Sequence, residues 1–229
     1  MTRLPSTVLL SLLFISCKSE YKRCEIQTTD NYLKAYNDIL NEIITERSFG
    51  RYLGKDEERI FEKYATKVAD SGNIKREVIR LHNKIFSDTS RFCTIYLDTA
   101  LQPAFNSWSF FQKDTNSYGQ KIRTLIGKYS DNEQEVIDSL NSIQGRFSPQ
   151  DFTLCIGNIK SIKESKDDNP KCFIGKIVLS KLIFNKAKNE GLLYYEFRCG
   201  ELCGYGNLIA IEKQNNHWQI QNALRTWIS

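Results

Sequence analysis

The chain has 229 residues, 41% of them hydrophobic and 26% charged, with 32 Lys and Arg against 27 Asp and Glu for a net charge of +5. That apolar content excludes an intrinsically disordered chain, and one core of this size can bury most of its unfolded surface, which favours a single domain. The basic residues are interleaved with acids, so no electrostatic footprint for nucleic acid stands out.

Residues 1–16 contain Arg3, a helix-breaking Pro5 and an apolar run from Val8 to Ser16. The run is too short to span a bilayer, which takes about 20 apolar residues, and its layout is that of a secretory leader. Phe14-Ile15-Ser16-Cys17 resembles the end of a bacterial lipoprotein signal. The resemblance implies cleavage before Cys17, a diacylglyceryl thioether on its sulfur, and palmitate-type acylation of the new amino group. Two or three acyl chains hold a protein on a membrane durably, whereas one binds reversibly. Lys18-Ser19-Glu20 lacks an Asp after the lipidated Cys and is similar to the export tag of Bacteroidota surface lipoproteins, which implies an outer-membrane address. Residues 17–29 then read as the lipidated N-terminus and a tether.

Setting Cys17 aside leaves Cys24, Cys93, Cys155, Cys172, Cys199 and Cys203. An even count in an oxidising compartment permits three disulfides in fifteen connectivities. Cys199 and Cys203 are the expected pair. The pairing of the other four stays open, because a free Cys in a strand-like run also serves as a small buried hydrophobe.

Residues 30–229 read as one α+β domain, with a helical part over 30–147 and a mainly β part over 148–229. Asp30 is the expected N-cap of a first helix carrying Leu33, Tyr36, Leu40, Ile43 and Ile44 on one face. A second helix is predicted over 56–69, ended by Ser71-Gly72, and a third carries Ile74, Val78, Leu81, Ile85 and Phe86. Phe92 to Leu97 reads as a strand. Phe105, Trp108, Phe110 and Phe111 follow, either as an exposed surface for a glycan or protein partner or as core. Further helical stripes run through Ile122 to Tyr129 and Val136 to Ile143. Phe152, Leu154 and Ile156 alternate like a strand, and strand-like runs cover about 173–184, 191–199, 207–213 and 217–223. Short polar turns between them predict an antiparallel meander, with the helices packed on one side.

The most distinctive motif is Cys199-Gly-Glu-Leu-Cys-Gly-Tyr-Gly206, between two predicted strands. Three glycines suit a tight loop, and a disulfide would staple it. A dithiol redox pair would use two intervening residues at a helix start. A zinc site would need more ligands than the chain's His82 and His217 readily supply, so no metal is expected. An anion nest would be opposed by Glu201. Together with Ser180 to Asn185, Trp218 and Trp227-Ile-Ser229, the motif looks like a recurring C-terminal pattern of Bacteroidota lipoproteins, which transfers no activity.

No nucleophile–base pair can be assigned to either histidine, and the neighbouring acids Glu57-Glu58 and Asp167-Asp168 read as solvated charge. The expectation is a membrane-anchored envelope lipoprotein that binds a protein or glycan partner, without cofactor and without nucleic acid. An envelope hydrolase with a cleft of dispersed residues is the alternative.

Overall fold

The computed structural model describes residues 21–48, 59–60, 62–63, 71–105, 117–166 and 172–229. Helix α1 (Asn31–Glu42) starts where Asp30 caps it, the carboxylate accepting from the backbone of Tyr32 at 2.7 Å and Leu33 at 3.0 Å. Such a cap satisfies amides that the first turn leaves without intrahelical partners. A π-helical turn, Ile43–Arg47, extends it. Ser71 and Gly72, expected to end the preceding helix, lie within helix α2 (Ser71–Phe86). Of the helix predicted over 56–69, only residues 59–60 and 62–63 are described, and they are helical.

Strand β1 (Cys93–Leu97), helices α3 (Ser117–Ile126) and α4 (Glu133–Leu140), and strands β2 (Gly157–Ser161), β3 (Phe173–Leu179), β4 (Ile183–Phe184), β5 (Glu190–Gly200), β6 (Cys203–Gln214) and β7 (His217–Ile228) complete the domain. The strands form one sheet in the order β2-β1-β3-β5-β6-β7, with β4 also on β5. The β5–β6–β7 meander is antiparallel. β1, by contrast, lies parallel to both β2 and β3. Parallel neighbours need a long crossover, and the stretch holding α3 and α4 supplies it.

Helices cover both faces of the sheet, not the single face expected. Leu193, Tyr195 and Phe197 of β5 join α1 in one core. Leu192 and Tyr194 join α3 and α4 in another. The sequence signal was there: Leu192 to Tyr195 is a continuous apolar run, as a strand covered on both faces requires, not an alternating one.

Phe152 to Ile156 forms no strand. The side-chain amides of Asn37 and Asn41 on α1 take its backbone groups instead. Thr153 N–H donates to Asn37 Oδ1 at 2.7 Å and Cys155 N–H to Asn41 Oδ1 at 2.8 Å, while the two Nδ2 groups donate to the carbonyls of Asp151 and Thr153. A helix face thus does the work of a neighbouring strand.

The six described cysteines form three disulfides, Cys24–Cys155, Cys93–Cys172 and Cys199–Cys203. Disulfides persist in oxidising compartments, so this domain belongs to an extracytoplasmic space. The first bridge also revises the tether. From residue 21 onward the segment is a strap laid on the domain: Tyr21 meets His82 edge-on, and Lys22 N–H donates to Asn83 Oδ1 at 2.9 Å. Among the described residues, no helix is long and apolar enough to cross a membrane.

Edge strand β7 is shielded by α1. Asp38 accepts from Trp218 N–H at 3.0 Å and Glu42 from Ile220 N–H at 2.9 Å. Open edge amides invite foreign strands, and two carboxylates one helical turn apart occupy them here.

Candidate functional site

The glycine-rich motif is built around Trp227. Cys199 and Cys203 close the turn between β5 and β6, where Gly200 pairs with Cys203. The next two glycines, Gly204 and Gly206, form the floor under the indole. A Cβ at Gly204 would lie 3.1 Å from the Trp227 ring, and one at Gly206 would collide with Trp227 Nε1 and the Tyr194 hydroxyl. Glycine is needed there for close approach rather than for an unusual backbone angle.

On that floor a polar chain runs outward. Trp227 Nε1–H donates to the Tyr194 oxygen at 2.7 Å, and the Tyr194 hydroxyl donates to Glu196 Oε1 at 3.0 Å. Arg198 holds the other Glu196 oxygen through Nε at 3.1 Å and Nη2 at 2.7 Å, with its guanidinium 5.7 Å from the Trp227 ring centroid. Burial pushes the Tyr194 hydroxyl well above the usual tyrosine range, so it keeps its proton and the direction of the chain is fixed. Glu196 and Arg198 share one face of β5 by alternation; that opposite-charge spacing was the sequence signal for this cluster, and it was missed.

The chain forms one wall of an open groove of about 1030 Å³, whose other walls include Asp98, Gln102, Phe173, Lys176 and the disulfide turn with Glu201. Phe173 is exposed there, and Leu202 at the tip of the turn is 90% exposed. Apolar surface beside a few fixed polar groups is the composition of a ligand site, and the volume is of the order such sites have, about 300–1,000 Å³.

The aromatic stretch resolves differently. Phe105 is buried against Tyr194, its ring 6.0 Å away, and Asn141 brackets its backbone N–H and carbonyl. It belongs to the core, so the binding-surface expectation fails for this ring. Trp108, Phe110, Phe111 and Cys17 lie outside the described residues.

His82 is fully buried, and burial lowers its pKa. His217 instead approaches an acid, with Nδ1 3.7 Å from Asp38 Oδ1. His217 and Asp38 share a recess beneath the strap with Glu42, yet its volume is only about 50 Å³. That admits a water or two, far short of a substrate. Among the described residues, no His, Cys, Asp and Glu gather as a metal site would require.

Burial pushes the Glu42 carboxyl up to about 7, partly offset by the Ile220 N–H. Folded protein therefore binds this proton more tightly than unfolded protein does, and stability falls as pH rises between the ordinary 4.5 and 7. Glu42→Gln removes the charge while keeping an acceptor for Ile220. Its urea midpoint is expected to exceed that of wild type at about pH 8 and to converge with it below about pH 4.5. An unchanged difference across that range would place the pH sensitivity elsewhere.

Comparisons with protein families, with curated proteins and with solved structures give no match.

Proposed function

We propose that this protein is a lipid-anchored lipoprotein of the cell envelope, held on the membrane through Cys17, that binds a protein or glycan partner non-enzymatically. The observation that carries the binding reading is the groove beside the disulfide turn. Its polar side chains are locked to one another on a stapled, glycine-floored sheet, so little ordering cost remains to be met when a ligand arrives. Three disulfides agree with an envelope location, and the leader supports the anchor. Hydrolysis has less support, because Asp38, the acid that His217 meets, lines the small recess and not the larger one that His217 also borders.

A photo-crosslinking residue placed at Phe173, inside the groove, tests the binding reading in intact cells. The expected result is a discrete adduct that disappears in an Arg198→Ala, Trp227→Ala background and is absent when the probe sits at exposed Gln150. Equal labelling from both positions, or none from Phe173, would contradict it.

A further inference from the structure

A second open recess of about 1050 Å³ lies between the strap, the start of α2 and the β6–β7 turn. Its charged lining is Arg23, Lys75 and Arg76, with Glu46 opposed and His217 partly exposed. Among the described residues, the acids of α1 and α2 beside it are already engaged, and Glu25 of the strap is exposed. Asp38 and Glu42 lie beneath the strap, each accepting a β7 amide, and Glu77 is bridged by Lys63 and Arg80, both at 3.0 Å. Lys22 adds a further exposed cation beside the strap. Lys22, Arg23, Lys75 and Arg76 against Glu25 and Glu46 therefore leave a net basic surface, among the described residues, beside the point where the described chain begins.

That point is close to Cys17. Cys17 is four residue steps before Tyr21, so it can lie at most about 14 Å from Tyr21 along the chain. Because Cys24 is fastened to Cys155, even with Tyr21 lifted off His82 the leash from Cys17 is seven residue steps, at most about 25 Å. We propose that this basic recess rests on the bilayer and binds the phosphates of anionic lipid headgroups, a second contact beside the lipid anchor. The inference rests on the anchor reading above. Charge complementarity and the short leash select the membrane surface as occupant over a soluble anion. The recess takes the Gln214–Gln219 end of the β6–β7 ribbon, and the groove takes the Trp227 end. Roughly 26 Å of strand lies between Gln219 and Trp227, so headgroup contact leaves the groove turned away from the bilayer.

The test uses the mature chain from position 17 with Cys17→Ser, so that no acyl group contributes, and co-sedimentation with vesicles of phosphatidylethanolamine and phosphatidylglycerol. Each basic residue near an anionic surface strengthens binding about five-fold, so Arg23→Gln, Lys75→Gln, Arg76→Gln together are expected to weaken it about 100-fold. Raising ionic strength should do the same to the parent, since salt screens charges beyond about 10 Å at 0.1 M. A control that removes the same charge elsewhere, Lys121→Gln, Lys128→Gln, Lys163→Gln, is expected to bind like the parent. Thermal melts confirm that both variants fold.

Equal loss in both triple variants, salt-insensitive binding, binding to neutral phosphatidylcholine vesicles as tight, or no binding to anionic vesicles would overturn the proposal. So would preferential capture by polygalacturonate, which would assign the recess to an acidic glycan. None of these readouts involves an acyl group. Failure of the anchor reading would instead show as wild-type protein without lipid at Cys17.

Discussion

Replacing Cys24 and Cys155 together with Ser is expected to lower the unfolding free energy by about 4–5 kcal/mol. The chain-entropy estimate scales with the logarithm of the loop closed, and this bridge spans a sequence separation of 131. The same estimate gives only about 2 kcal/mol for Cys199–Cys203, whose separation is 4. Denaturant midpoints of the two double variants under non-reducing conditions should therefore differ clearly, with the strap variant the weaker. Limited proteolysis should also nick residues 21–29 in that variant before any global unfolding, because the strap has lost its covalent hold. If both variants lost the same small amount, the strap would be only loosely bound and the proposed short leash to a membrane would go with it.

Trp218→Ala is the second large effect. The side chain is 2% exposed and stacks on Phe184 with centroids 4.8 Å apart, while its backbone N–H is the one Asp38 holds. Truncation removes the largest wedge between α1 and the edge strand, and such Trp-to-Ala changes cost about 3–5 kcal/mol. Trp218→Phe keeps most of the volume and is expected to cost under about half of that. Chemical denaturation measures both. A loss below about 1 kcal/mol for the Ala variant would mean that the α1–β7 seam contributes little to holding the edge.

Much of the architecture follows from local patterns. Asp30 caps the first helix, and the β5–β6–β7 strands lie close to where period-two runs placed them. The departures have physical causes. The parallel β1–β3 pairing depends on how distant segments meet, which no local period encodes. Phe152 to Ile156 has strand-like alternation but lost its ladder to two asparagines more than a hundred residues earlier. Asn37 and Asn41 look like surface residues of a helix until that partner is in place. Tyr21 to Thr29 is polar enough to read as a tether, yet one disulfide converts it to a strap.

The candidate site was half legible. The short spacing of Cys199 and Cys203 between strands pointed to a staple, and the motif's glycines pointed to a tight loop, whereas Gly204 and Gly206 serve close approach. What approaches them is Trp227, more than twenty residues later, and only the pairing of β6 with β7 brings it there. Glu196 and Arg198 were hidden for a different reason. A charged pair two residues apart on a strand is ordinary surface chemistry unless an aromatic ring and a buried hydroxyl fix it in place.

In the proposed reading, groove, strap and basic recess combine into a domain held close to a membrane at one end of its sheet and open to a partner at the other. Everything in that reading depends on Cys17. The most direct measurement is mass spectrometry of the N-terminal peptide from protein extracted out of membranes. The expected result is a peptide beginning at Cys17, heavier by a diacylglyceryl group with or without an amide-linked acyl chain. A mature N-terminus at any other residue, or an unmodified Cys17 thiol, would contradict it.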